Sequence, residues 1–268
     1  MPFSDLDIQA ALGVLAVPVD NPAPRDEGAD RAMVAAFSSE YTQASGSGAA
    51  GDPSGEAAPL VLESRGSQIT IASSQAALDV KFYGGHQHDA GVSREYFGER
   101  LASLLDAWVA VGARPVWANI VINLKSVFGT APDEAGAHIR DHFLAEGLAN
   151  QAVYDLKAQI GIRVADHFFV NLGVSPYEAK QVKRTAAADA PAATVIRPWE
   201  GEVTEAGIEL NIEVNNRLRA NVLRQHSAVD EEELREMNDL SWDFVTRVAN
   251  PLVRDGQLDL SQLEAMTG

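Results

Sequence analysis

The chain has 268 residues, no cysteine, and 38 acidic against 21 basic side chains, for a formal charge of −17. The missing cysteines exclude disulfides, thiolate metal sites and cysteine nucleophiles, and the acidic excess argues against phosphate-backbone or anionic-membrane binding. Hydrophobic residues at 46% and charged residues at 22% are ordinary globular proportions, with length enough for a sizeable core.

No run is long and apolar enough to span a bilayer. Met1-Pro2-Phe3-Ser4-Asp5-Leu6-Asp7 is acidic and lacks the basic start of a secretory signal. The expectation is a soluble, cytoplasmic protein, and abundant alanine with scarce lysine suits a GC-rich bacterial genome.

Residues 5–17 predict a short helix stopped by Pro18, and residues 30–42 a second, with Met33, Phe37 and Tyr41 at helical spacing. Residues 44–59 (Ala-Ser-Gly-Ser-Gly-Ala-Ala-Gly-Asp-Pro-Ser-Gly-Glu-Ala-Ala-Pro) carry almost nothing to bury and predict a flexible linker. The domain expectation is therefore an N-terminal helical segment over 1–43, this linker, and a main α+β domain over 60–268. That domain opens with strands at 60–64 and 68–72 around Arg65-Gly66-Ser67. A third strand carries Leu78, Val80 and Phe82 and ends at Gly84-Gly85.

From Ser93 to Val111 the period becomes helical, with Phe97, Leu101, Leu104, Leu105 and Trp108 on one stripe, Ser93 as N-cap and Gly112 just past the end. Residues 116–124 alternate, and their second face (Trp117, Asn119, Val121, Asn123) is only half polar, which predicts a central strand covered on both sides. A helix over 130–148 turns Ile139 and Phe143 inward. The strongest alternation lies in 153–174, where an apolar row on Tyr154, Leu156, Ala158, Ile160, Ile162 and Val164 resumes at Phe168, Val170, Leu172 and Val174. For both rows to share a face, Val164 must pair with Phe168 across a three-residue loop, Ala165-Asp166-His167. Residues 185–194 predict a flexible excursion and 208–214 another strand. The last long helix covers about 230–250, with Pro251 as its stop. Together these predict an α+β fold: an antiparallel or mixed sheet with long amphipathic helices packed on one face.

Gly46-Ser47-Gly48-Ala49-Ala50-Gly51 matches a dinucleotide-binding pattern in its letters only, since no strand feeds it and no helix leaves it. His86, His88 and Asp89 form the densest set of metal-ligand types. On an extended segment the two imidazoles would share a face and grip a divalent ion. His138 and His142 lie four apart on a predicted helix, the spacing that presents two imidazoles to one metal, although Ile139 stands where zinc peptidases carry a glutamate. Glu209 and Glu213, with Asp155 and Lys157 on another strand, are the residue types of a magnesium-dependent nuclease, or of any solvated sheet face. Asp230, Glu231, Glu232, Glu233, Glu236, Asp239 and Asp243 make one acidic helix face, partly complementing the helix dipole and suited to a basic partner. No nucleophile elbow or phosphate-binding loop occurs.

The order of elements, with the strand Ile208-Glu-Leu-Asn-Ile-Glu-Val-Asn-Asn216 leading toward Leu240-Ser-Trp-Asp-Phe244, resembles a sporadically distributed family of bacterial α+β proteins of unassigned function. The similarity covers about Leu60 to Val253, with that family's Arg-x-Gly-x-Arg strand reduced to Gly161-Ile-Arg163. It implies the α+β fold and no catalytic residues. The functional expectation is a non-catalytic protein acting through protein–protein contacts or as a homo-oligomer, with no cofactor, no membrane and no nucleic-acid partner. The alternative is a metal-binding module or metal-dependent hydrolase built on the histidine and aspartate cluster.

Overall fold

The computed structural model describes residues 6–44, 58–144, 157–164, 168–181, 201–218 and 227–258. One antiparallel sheet of nine strands carries the fold. Its strands are β1 (Asp7–Ala16), β2 (Thr42–Gln43), β3 (Leu60–Ser64), β4 (Ser67–Ile71), β5 (Gln75–Lys81), β6 (Trp117–Gly129), β7 (Ala158–Val164), β8 (Phe168–Gln181) and β9 (Glu202–Asn215). They lie in the order β2-β3-β4-β5-β1-β6-β9-β8-β7.

The hairpin register follows the alternation of the sequence. Val164 pairs with Phe168, Ile162 with Val170 and Ile160 with Leu172, and Val164, Phe168, Val170, Leu172 and Val174 are all buried. The loop itself, Tyr154, Asp155 and Leu156 lie outside the described residues. The hairpin forms the margin of the sheet rather than its centre, because β9 inserts between β8 and β6.

The centre belongs to a segment that the sequence casts as a helix. Residues Asp7–Ala16 are not helical but form β1, paired with β5 on one side and β6 on the other. The N-terminal part is thus built into the sheet instead of tethered to it. An irregularity between Ile8 and Ala10 explains why the alternation is hidden. Ile8 points inward on an even number, while Ala11 and Leu15 point inward on odd ones. Two waiting strands override the helical preference of an Ala- and Leu-rich run.

The second predicted helix is α1 (Glu27–Phe37), capped by the Asp26 side chain on the Ala29 amide, with Met33 and Phe37 buried. Residues 45–57 of the predicted linker lie outside the described residues. A one-turn helix, α2 (Gly85–His88), precedes α3 (Ala90–Ala110), whose N-cap is Asp89 rather than Ser93. Ser93 is buried and donates its hydroxyl to the His86 carbonyl at 2.6 Å, fastening α2 to α3. Gly112 takes φ +97 just past the end of α3, as its position predicts.

Helix α4 (Pro132–Phe143) buries Ile139, and α5 (Glu231–Asp243) follows an Asp230 cap. Pro251 does not end the last helix. A π turn, Phe244–Val248, widens the backbone first, and α6 (Ala249–Asp255) continues through the proline. Proline has no amide to give the preceding turn and crowds its carbonyl, and the widened turn accommodates both. Gly256, left-handed at φ +65, is the actual stop.

Helix α3 packs on β1 and β5, α5 on β6 and β9, and α4 on β8 and β9, all against the face that carries Leu78, Ile120, Ile122, Leu210, Ile212 and Leu172. Among the described residues no helix covers the opposite face. The strand at 116–124, expected to be covered on both sides, is central, and among the described residues helices pack on one side of it only. Trp117 remains 42% exposed there.

Candidate functional site: the uncovered sheet face

The pairings place the outward side chains in rows that cross the sheet. One row runs Thr70, Ala77, Val14, Asn119, Asn215, Phe169. The next runs Gln68, Asp79, Leu12, Val121, Glu213, Asn171. On the middle strands β5, β1 and β6 these rows set Ala77, Val14, Leu12 and Val121 side by side as a band, bordered by Asp79 and Asn119 and extended by the pair Ala16 and Trp117. Strands β9 and β8 carry amides: Asn171 and Asn211 are half-buried, and Asn215 is buried. Asn211 donates to Asn123 at 2.7 Å, and Asn171 and Asn215 each donate to Glu213 at 3.2 Å. Asn119, where band meets amides, has a side-chain carbonyl oxygen that is enclosed and without a hydrogen-bond partner.

One end of the face is charged and closed upon itself. Asp7 pairs in register with Lys125, and Lys125 forms an ion pair with Glu205. The same ammonium sits 4.2 Å from the centre of the Tyr177 ring, a cation–π contact, and the Tyr177 hydroxyl donates to Glu205 at 3.1 Å. The hydrogen bond from Lys125 holds the Glu205 carboxyl below its ordinary range, with help from Tyr177. Burial, and then the hydrogen bond to Glu205, push the Tyr177 phenol well above its usual value. Tyr177 faces Gly207 across the β8–β9 ladder. A Cβ there would overlap the Ser126 carbonyl oxygen and stand 2.9 Å from Tyr177 Cε1. These groups satisfy one another, so the cluster positions a ring and two charges without presenting a free base.

The nuclease-like arrangement does not assemble. β7 and β9 are not neighbours, since β8 separates them, Asp155 lies outside the described residues, and Glu213 is taken by two asparagines. Of the acidic helix face, Asp230 caps α5, Glu233 is buried and accepts from Asn216 at 3.0 Å, and Asp239 pairs with Arg94. Glu231, Glu232 and Glu236 remain exposed.

His86 and His88 occupy a helical turn, not an extended segment, so their side chains diverge. The His86 ring lies between Phe82 and Tyr96, with ring centres at 6.3 and 5.4 Å, whereas His88 Nδ1 meets the Asp7 carboxylate at 2.9 Å. Asp89 is occupied in capping the Val92 amide at 3.0 Å. The helical spacing of His138 and His142 does bring their rings together, with centres 4.3 Å apart. His138 Nε2 lies 2.6 Å from the Val253 carbonyl near the end of α6, so as the donor it satisfies one of the carbonyls that a helix C-terminus leaves unpaired. Among the described residues no three His, Asp or Glu side chains gather as a metal-binding group. No helix is long and apolar enough to cross a membrane among the same residues.

Sequence reasoning recognised the half-polar face of residues 116–124 but missed its partner rows on β1. The alternation of Ala10, Leu12, Val14 and Ala16 was the available signal. No protein-family model matches this chain, and no curated protein matches it at a significant level.

Proposed function

We propose that this chain is a non-catalytic protein that works through contacts, pairing with a second copy of itself through the uncovered sheet face. The observation that carries the reading is the apolar band of Ala77, Leu12, Val14, Val121 and Trp117 in the middle of a nine-stranded sheet with no layer over it among the described residues. Sheets stack face to face at about 10 Å with interdigitating side chains. The amides beside the band both donate and accept, so they suit a self-complementary two-fold contact. The formal charge of −17 on each copy opposes pairing, but screening confines that repulsion to about 8 Å at physiological salt.

Light scattering across a concentration series tests the proposal. The mass should rise from 28.7 kDa toward twice that value and collapse to one chain in a Leu12→Lys/Val121→Lys double variant. Lysine reduces the net negative charge, so a loss of pairing could not be ascribed to added repulsion. A wild-type chain that stays at one copy throughout would overturn the reading.

A metal-dependent role is the second reading, supported by the ring contact of His138 with His142. A divalent ion bound stoichiometrically in purified protein, and lost in His138→Ala/His142→Ala but kept in His86→Ala/His88→Ala, would favour this reading. Equal metal content in all three proteins would remove it.

A further inference from the structure

Where the β3–β4 turn meets the end of β5 lies a recess of about 520 Å³, within the usual range for small-molecule sites. Its walls are Phe82, Tyr83, His86 and Tyr96, with Arg65 from the β3–β4 turn and Lys81 from the end of β5 completing it. No residue that lines it is acidic, in a chain where acidic side chains outnumber basic ones 38 to 21. Neither Arg65 nor Lys81 meets a carboxylate at ion-pair distance among the described residues. Arg25, Arg31, Arg94, Arg100, Lys125, Lys180 and Arg254 do, while Arg114, Arg140, Arg235 and Arg247 resemble the pair here in meeting none among those residues. What sets Arg65 and Lys81 apart is that they share one recess with three aromatic rings. Lys81 and Tyr83 also border a smaller polar recess that contains Glu63 and Asp79, so Lys81 stands between acidic and carboxylate-free surface.

The aromatic part is held open by its surroundings. Tyr83 is 64% exposed and rests on the turn at Gly66, where a Cβ would come within 3.2 Å of its ring. Burial did not place this large aromatic, and it gives a flat face to the opening. Tyr96 is fixed from behind by the Arg100 guanidinium, 3.6 Å from the ring centre, and Arg100 is itself tied to Glu40. His86 Nδ1 is enclosed and has no hydrogen-bond partner among the described residues, a polar atom that a bound group could satisfy. Two unpaired cations beside flat rings and a polar imidazole are complementary to a dianion joined to a planar heterocycle.

We infer that this recess binds a small phosphate-bearing planar ligand of the nucleoside monophosphate class, Arg65 and Lys81 taking the phosphate and Tyr83 stacking on the base. One phosphate and one ring account for both the cation pair and the exposed aromatic. An inorganic anion would leave Tyr83 without a role, and an aromatic monocarboxylate would supply only one charge for two cations.

Isothermal titration calorimetry on the full chain tests this with AMP, GMP, CMP and UMP, and with adenosine, inorganic phosphate and benzoate as comparison probes. At least one monophosphate should bind one per chain, tenfold or more tighter than its nucleoside or phosphate. Arg65→Ala/Lys81→Ala and Tyr83→Ala should each weaken it at least tenfold, and Tyr83→Phe should restore the affinity that Tyr83→Ala loses. Arg235→Ala, in the groove between α3 and α5, should leave it unchanged, and the melting temperature of each variant establishes that it is folded. Absence of binding by all four monophosphates at millimolar concentration would overturn the inference. So would affinity indifferent to the Arg65/Lys81 change, or benzoate or phosphate binding as tightly as the best nucleotide.

Discussion

Gly207 is the position at which one added methyl group should cost most for its size. The glycine faces outward on β9, opposite Val127 on one side and Tyr177 on the other. A Cβ would overlap the Ser126 carbonyl oxygen and stand 2.9 Å from Tyr177 Cε1. The first obstacle is backbone of the neighbouring strand, so relief requires β6 and β9 to part rather than a rotamer to change. Overpacking of this kind costs about 1–3 kcal/mol, and each ladder hydrogen bond strained adds about 1 kcal/mol. Gly207→Ala should therefore destabilise by about 3 kcal/mol or more, a melting temperature lower by about 6–12 °C for a domain of this size. Gly173, on the same face, is the control. There a Cβ meets only Lys157 Cε at 3.6 Å and Asn211 Cβ at 3.8 Å, ordinary van der Waals distances. Gly173→Ala should be neutral or mildly stabilising through the unfolded chain, which loses freedom. Paired thermal melts by circular dichroism decide the matter. If both variants melt together within about 2 °C, the register that lays Tyr177 across Gly207 is wrong.

Tyr41 and Tyr177 should each titrate above the ordinary phenol range in absorbance at 295 nm, because burial raises both. A phenol raised on folding contributes stability that is complete below its unfolded value near 10 and lost as pH climbs through the folded value. Glu205→Gln should bring Tyr177 earlier while leaving Tyr41, whose hydroxyl lies 2.6 Å from the Ser67 hydroxyl, where it was. Glu205 works in the opposite direction. Its folded-state pKa is depressed chiefly by Lys125, so its contribution is present above about pH 4.5 and lost as pH falls through the folded value. Lys125→Met should therefore move the onset of acid unfolding to higher pH, and an onset unchanged from wild type would count against the Lys125–Glu205 pair. Trp242 Nε1 donates to Asn238 at 3.1 Å, whereas Trp108 Nε1 is buried without a partner. Trp242→Phe should then cost at least about 1 kcal/mol more than Trp108→Phe in denaturant unfolding, and equal costs would argue against that asymmetry.

The sequence by itself determined the local periods. The stripe from Phe97 to Trp108, the alternation that set Val164 against Phe168, and the signal of Gly112 each depend on neighbours a few residues away, and each appears in the structure. It also placed the helices on one face, since the apolar rows of the strands named their buried side. Only the tertiary structure decided that residues 7–16 are the central strand. An Ala-rich run with a shifted register looks helical until β5 and β6 present free hydrogen-bonding edges on both sides of it. The candidate sites divide in the same way. His138 and His142 meet because one helix carries both, at a spacing written in the sequence. Arg65, Lys81, Tyr83 and Tyr96 come together from a turn, a strand end and a helix, and Leu12 meets Val121 from strands more than a hundred residues apart. No local pattern encodes such encounters, because the contact energy that creates them exists only once the sheet has closed.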